Sequence, residues 1–546
     1  MDQYPLGNAV PAGDAAQKQR ALPYGRADGR PTPVWAWFAL AGIVLAALLI
    51  RLPGLGGPIV GYHSFNEAFY LNNALRDLPA GWLSPWTAPY ALNPPMYPFI
   101  LRLALSVFGP TILVARALST AAALLTVVAI YFLGNRLYGA VAGLGAAVVI
   151  ALAPGSVLIG RNIQIEAVLA LVVTLVVLAW VIAIDKDSVA WAVAAGILAA
   201  LAVLLKMQGV VLIPAIALAE VIRTRSLRSL WGRAPLAALL TFCAVGLPWH
   251  VWNLLQPGRA ASLGVRSSEM NMPDLRFLDM FFAREWYWLL SPGVAVLAVV
   301  GIGYLIRRRR PSDVLVLFAV FANLAFYFAY HLHTYYLYTA VPFVALCAAA
   351  LLEPFARRNA RAAVATLCVA AVLLVPFALT ELVGKKLGYW STDQIAAAAV
   401  SQGIDPANTT LAVDPLFRLS WEPALLHNGR GMSIASNPLR DDDVLAPGVR
   451  LVTLDPEPRP ASADSAPLVR LTDEHVMPVF FGYGIDQNHA ALFFFAIDQP
   501  EFVRVGPWWE FGLATRTDPI DYWASLLSPS FTDRIRAQAS GTTPAP

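Results

Sequence analysis

Side chains able to move protons, bind anions or ligate metals gather at a few places in a chain that is otherwise mostly apolar. The densest is residues 61–98, GYHSFNEAFYLNNALRDLPAGWLSPWTAPYALNPPMYP, which holds His63, Asn66, Glu67, Tyr70 and Asn93. Glu67 stands at the start of what reads as a helix continuing to about Asp77, where the helix dipole favours an ionised carboxylate. Such a group could take a proton from a hydroxyl or hold a divalent cation. Ser64-x-x-Glu67 equally fits a capping box, an ordinary structural device. The Asn-Pro-Pro-Met-Tyr-Pro turn at 93–98 fixes an extended entry into a helix over about 96–109. It could aim a polar side chain at a phosphate, or simply turn the chain.

Further along, Arg161-Asn-Ile-Gln-Ile-Glu166 separates two apolar runs. Glu166 enters an otherwise apolar helix, where an unpaired charge is costly, so a partner or a polar cavity is expected. Lys206 lies between two short helical segments; broken helices favour ion sites in membranes, while snorkelling is the plain alternative. His331-Leu-His333-Thr-Tyr335-Tyr336 supplies two imidazoles and two phenols. Alternate histidines, with Glu67 if it approaches, could ligate a metal, and the tyrosines fit an interfacial aromatic belt.

The elements that must position these groups follow from composition. With 58% hydrophobic and 14% charged residues, the chain is far more apolar than a soluble domain. No basic face interleaved with aromatics appears, which argues against nucleic acid as a partner. Cys243, Cys347 and Cys368 all fall in apolar runs and offer neither metal spacing nor a disulfide framework. By the rule of about 20 apolar residues per span, segments near 34–53, 111–133, 140–159, 167–184, 189–205, 209–222, 234–253, 286–306, 313–331, 335–352 and 362–383 read as roughly eleven transmembrane helices. Residues 1–33 are polar and basic, with nothing resembling a cleavable signal, and are expected to be a disordered cytoplasmic tail. Cytoplasmic loops collect Lys and Arg, so the basic connections at 223–233, 307–310 and 357–361 belong inside. The 54–98 loop, 161–166, 206–208 and 331–336 then share the outer side.

After about residue 384 the composition turns polar. β-type runs at 410–414, 450–455 and 491–498 alternate with helix-like pieces at 392–402 and 417–427. This pattern predicts an extracytoplasmic α/β domain over 384–536, followed by a disordered tail at 537–546. The expected fold class is a polytopic α-helical membrane protein with that C-terminal domain.

The order of these signals resembles a known family. A Glu-Ala-x-Tyr helix after the first span comes first, then the Pro-Pro-Met-Tyr turn and Phe108-Gly-Pro110. Arg116-Ala-Leu-Ser119, Tyr131-Phe-Leu-Gly-Asn-Arg-Leu-Tyr-Gly139, the Arg161…Glu166 junction, Leu205-Lys-Met-Gln-Gly209 and His333-Thr-Tyr-Tyr336 follow. Together they resemble the GT-C membrane glycosyltransferases of family 39, the protein O-mannosyltransferases and lipid A aminoarabinose transferases, over about residues 34–350. The resemblance implies inverting transfer of a sugar from a polyprenyl phosphate to an acceptor hydroxyl at the extracytoplasmic membrane face. The acceptor, a glycan, lipid or protein, is left open. Two positions depart from the family pattern. Asn66 stands where an Asp base is usual, so the resemblance implies that Glu67 supplies the base or holds a divalent cation while Asn66 positions a hydroxyl, with Glu166 as the rival for that role. Asn93 replaces a Lys, so Arg161, Lys206, a histidine or a metal must meet the phosphate. Other readings are a transporter of a lipid-linked sugar, which predicts an inverted repeat that is not evident, and an inactive binding scaffold.

Overall fold

The computed structural model describes residues 23–25, 32–56, 67, 70, 71, 74, 94–255, 289–330 and 334–384, with short strand segments between 410 and 503. It is helical throughout its apolar part: α1 (Val34–Arg51), α2 (Met96–Phe108), α3 (Ile112–Tyr138), α4 (Ala140–Leu152), α5 (Pro154–Arg161), α6 (Ile165–Asp185), α7 (Val189–Leu205), α8 (Leu212–Thr224), α9 (Arg233–Leu255), α10 (Pro292–Arg308), α11 (Pro311–Tyr330), α12 (Val341–Ala350), α13 (Leu352–Arg358) and α14 (Ala360–Gly384). Short 3-10 turns at Met207–Val211 and Thr334–Ala340 lead into α8 and α12.

Among the described residues, eight helices are long and apolar enough to cross a membrane, or nine if the bent pair α4–α5 is one span. The chain is a multi-pass membrane protein. Each of the eleven expected segments coincides with a helix among the described residues, eight or nine of them passing this test. The segments at 189–205 and 286–306 do form helices, but α7 and α10 are 17 residues each, about 25 Å of rise against a hydrocarbon core of about 30 Å. The segment expected as one span at 140–159 bends by 60° between α4 and α5. Pro154 causes the break: it lacks an N–H to continue the ladder of α4 and sits at the first turn of α5.

The break leaves carbonyls at the end of α4 without helical partners. Arg51, fully buried at the end of α1, donates to two of them, Ala151 O at 2.9 Å and Ile150 O at 3.2 Å, and to Ser156 O in α5. Nothing in the sequence pattern singled out this residue.

The position of each helix follows its pattern of side chains. α4 is apolar on every side and nearly all its residues are buried, as expected of a central helix. α3 approaches it closely: a Cβ on Gly143 would lie 2.6 Å from the Tyr131 carbonyl, so glycine is required there. α9, by contrast, buries only Gly246 and Trp249 and exposes Leu239, Leu240, Val251 and Leu254, the profile of a lipid-facing span.

α6 carries Glu166 in its first turn and Asp185 at its last residue, about 30 Å apart at 1.5 Å per residue. Each marks one end of the bundle. At the Asp185 end, its carboxylate accepts from Tyr24 N, Gly25 N and Arg136 Nε. Glu353 binds Arg308, Arg310 and Arg357, and Arg308 also pairs with Asp313. A cleft of about 1500 Å³ opens beside them.

In the C-terminal region β1 (Thr410–Leu411) pairs in parallel with β2 (Ser433–Ile434), and β3 (Val452–Thr453) with β4 (Val469–Arg470). β5 (Val479–Gly482), β6 (Ala491–Phe495) and β7 (Phe502–Val503) form an antiparallel sheet. Each of the three expected β-type runs thus contains a strand. The helix-like pieces at 392–402 and 417–427, the tail at 537–546 and residues 1–22 lie outside the described residues.

Candidate functional site

At the opposite end of the bundle, residues far apart in sequence come together. Glu67, Tyr70, Leu71 and Ala74 are helical and buried, spaced as one face of the helix that the sequence predicts there. Both Glu67 oxygens face Arg116 of α3, with Nε at 2.7 Å from Oε1 and Nη2 at 2.9 Å from Oε2. The Ile163 N–H also donates to Oε1 at 2.9 Å, and Arg116 reaches the Leu55 carbonyl as well. This bidentate pair ties the first loop to α3 and to the α5–α6 junction.

That junction, residues 162–164, is buried, with Asn162 and Gln164 in extended conformation. Ser119 holds its backbone: Gln164 N donates to Ser119 Oγ at 3.2 Å. Two residues on, Glu166 Oε1 pairs with the Lys206 ammonium at 2.5 Å, both groups being buried. Its second oxygen, Oε2, has no hydrogen-bond partner among the described residues. Lys206 occupies the break between α7 and the 3-10 turn, in extended conformation, and its ammonium lies 3.3 Å from the Tyr336 ring centroid and 5.2 Å from that of Tyr335. The two tyrosines stack on each other. The turn folds back tightly on α7, since a Cβ on Gly209 would lie 2.6 Å from the Ala202 backbone. Gln208 then donates to the Tyr336 carbonyl and to Thr339, whose hydroxyl donates to Asn323 of α11.

Tyr70 and Tyr97 complete the cluster, edge to face with centroids 4.9 Å apart. Burial pushes both phenols up, and the nearby Glu166 carboxylate pushes in the same direction, so both stay protonated.

The expected site residues Glu67, Tyr70, Arg161, Glu166, Lys206, Tyr335 and Tyr336 are thus located. Arg161 directs its guanidinium to the carbonyls of Arg51 and Pro53 at the end of α1. His63, Asn66, Asn93, His331 and His333 lie outside the described residues, and with them two members of the Glu67–His331–His333 metal set. Among the described residues no three His, Cys, Asp or Glu side chains gather to hold a metal ion. The sequence reading did not assign Arg116, Tyr97, Ser119, Gln164 or Gln208 to the site. Arg116 had a readable signal, a charge inside a 27-residue apolar helix; the amides had none.

Residues 92–252, which include α2, α3, the junction and Lys206, match the family model described as dolichyl-phosphate-mannose–protein mannosyltransferase. Among solved structures, apo ArnT from Cupriavidus metallidurans aligns with a TM-score of 0.51 at 15% identity, over 73% of this chain and 90% of that one. The fold is that of the GT-C glycosyltransferases. Within that class the chain resembles family 39. ArnT bound to undecaprenyl phosphate aligns at TM-score 0.48 and 16% identity, over 73% of this chain and 76% of that chain. An oligosaccharyltransferase from Archaeoglobus fulgidus in complex with zinc and sulfate aligns at 0.48 and 13%, over 73% of this chain and 62% of its own. No curated protein matches the chain.

Proposed function

We propose that this GT-C chain transfers a sugar, with inversion, from a polyprenyl-phosphate donor to an acceptor hydroxyl at the extracytoplasmic membrane face. The observation that carries the reading is the convergence of Glu67, Arg116, Glu166 and Lys206 in one buried cluster, largely within the stretch that matches a family described by its lipid-phosphate donor. The basic connections near Arg223–Arg233, Arg307–Arg310 and Arg357–Arg361 favour placing the Asp185 end, the N-terminus included, in the cytoplasm and the Glu166 end outside.

In this reaction the acceptor oxygen bonds to the anomeric carbon as the bond from that carbon to the phosphate oxygen breaks. Polyprenyl phosphate departs with the electron pair, and the hydroxyl proton passes to a carboxylate. Glu166 is the better placed of the two candidates. Arg116 and the Ile163 N–H engage both oxygens of Glu67, whereas Glu166 Oε2 is without a hydrogen-bond partner among the described residues. Glu67 then acts as a positioning residue that fixes the junction carrying Glu166. Lys206, already beside Glu166, supplies positive charge for the phosphate. Phosphate needs no strong general acid to leave, so positioning and charge stabilisation dominate. No step here passes through a metal.

The test uses purified full-length protein in lipid nanodiscs with radiolabelled polyprenyl-phosphate sugars and a panel of acceptors. Glu166→Gln is expected to lower turnover by about 10²–10⁴-fold, the usual contribution of a general base. Full transfer by Glu166→Gln together with none by a folded Glu67→Gln would reverse the two roles. In proteoliposomes, movement of the lipid without turnover would replace the enzyme with a transporter.

A further inference from the structure

The fold leaves an unusual set of polar atoms without partners around Glu166. Gln164 is fully buried, and among the described residues neither its Nε2 nor its Oε1 meets a hydrogen-bonding group. Glu166 Oε2 and Gln208 Oε1 are in the same condition. A buried amide with both ends unsatisfied is rare in native proteins, because the group loses its water and gains nothing in return. Gln164 and Gln208 flank the Glu166–Lys206 pair. Gln164 precedes Glu166 by two positions, Lys206 joins Glu166, and Lys206 precedes Gln208 by two. The Gln164 backbone is also pinned, with Ser119 accepting from its N–H and donating to its carbonyl.

The inventory has a chemical bias. Of the partnerless atoms here, Gln164 Oε1, Glu166 Oε2 and Gln208 Oε1 are acceptors, Gln164 Nε2 is a donor, and the Tyr97 hydroxyl can be either. A phosphate offers only acceptors and would oppose the three oxygens. An ammonium offers only donors and would leave Nε2 unmet. Hydroxyl groups donate and accept at once, and two neighbouring hydroxyls match the planar donor–acceptor edge of a carboxamide.

We propose that Gln164 is a specificity-determining residue that binds two adjacent hydroxyls of the donor sugar, and that the transferred sugar is a neutral polyhydroxylated one. The inference rests on the glycosyl-transfer reading above. It separates two tasks within the cluster: Lys206 faces the phosphate, and the Gln164–Gln208 amides face the ring.

Thermal unfolding of the full chain in nanodiscs tests it, with undecaprenyl phosphate alone and with undecaprenyl-phosphate mannose, glucose and galactose as probes. In the wild type a neutral sugar is expected to raise the melting temperature beyond the rise given by the lipid phosphate alone. Gln164→Leu is expected to melt higher than wild type without ligand, because it removes an unsatisfied buried amide. It should keep the shift given by the lipid phosphate and lose the extra shift given by the sugar. Where turnover is measurable, its kcat/KM should fall about ten- to a hundredfold. A lower melting temperature for ligand-free Gln164→Leu, or an undiminished sugar-dependent shift, overturns the assignment. If the lipid phosphate stabilises wild type and no neutral sugar adds to it, the Gln164 inference alone falls. If none of the lipids stabilises the protein or is turned over, the functional reading falls and takes this one with it.

Discussion

The two ends of the bundle use the same residue types in opposite ways. At the Asp185 end the carboxylates are saturated: Asp185 takes three donors, Asp313 takes Arg308 and the Arg310 N–H, and Glu353 takes three arginines. Glu220 pairs with Arg223 and accepts from the Tyr24 hydroxyl, a phenol that burial and the Glu220 charge keep protonated. These contacts fasten α3, α6, α8, α10, α11 and α13 at one level. At the Glu166 end one carboxylate is saturated and the other half-satisfied, and the Gln164 amide stands without partners among the described residues. The difference lies in the carboxylates: those that fasten helices at the Asp185 end have their oxygens engaged inside the fold, while Glu166 keeps one oxygen open among the described residues.

Substitutions can break or sharpen that contrast. The largest loss of stability is expected from Glu353→Ala, which leaves Arg308 and its neighbours without their shared counter-charge. Breaking a buried pair in this way costs about 3–5 kcal/mol, visible as a collapse of folded yield and of the melting temperature in detergent. An unchanged melting curve would remove the fastener reading. Glu67→Gln ranks next, at about 3 kcal/mol, because Arg116 keeps a neutral acceptor but loses its counter-ion. The double variant Glu67→Gln/Arg116→Met should recover part of that loss, and strict additivity in the cycle would deny the coupling. Glu166→Gln should cost less, about 1–2 kcal/mol, since Lys206 keeps its place on Tyr336, although it abolishes most of the turnover. Stability loss equal to that of Glu353→Ala would make Glu166 a fastener too. The smallest effect, about 1 kcal/mol, is expected for Tyr24→Phe, which removes one hydrogen bond to Glu220 while leaving the ring against Arg223. Transfer activity should not change.

Much of the helical layout could be read from the chain. Apolar runs at 34–53, 111–133, 167–184 and 362–383 became helices with nearly those limits, because lipid demands internally bonded backbone and apolar side chains. Thr111, for instance, caps α3 through the Val114 N–H, a local signal that needs no tertiary context. The bend after Ala153 was less legible. Pro154 marks it in the sequence, but a proline at the first turn of a helix and a proline in a kinked span look alike until a partner for the freed carbonyls is seen. Here that partner is Arg51, about 100 residues away in sequence.

The site divides the same way. Residue type alone marked Glu67, Glu166 and Lys206, because charges beside or within apolar runs are expensive and must have a reason. Their roles depended on distance in space. Glu67 meets Arg116 across 49 positions and the Ile163 N–H across 96, and Glu166 meets Lys206 across 40. No periodicity encodes which of two carboxylates will be saturated, since that is fixed by how α3, the α5–α6 junction and the α7 break pack. The sequence by itself determined that the chain spans a membrane and which charges it must shelter. Only the tertiary structure decided which of those charges are satisfied, because a buried group's partners are chosen by packing between helices rather than by position along the chain.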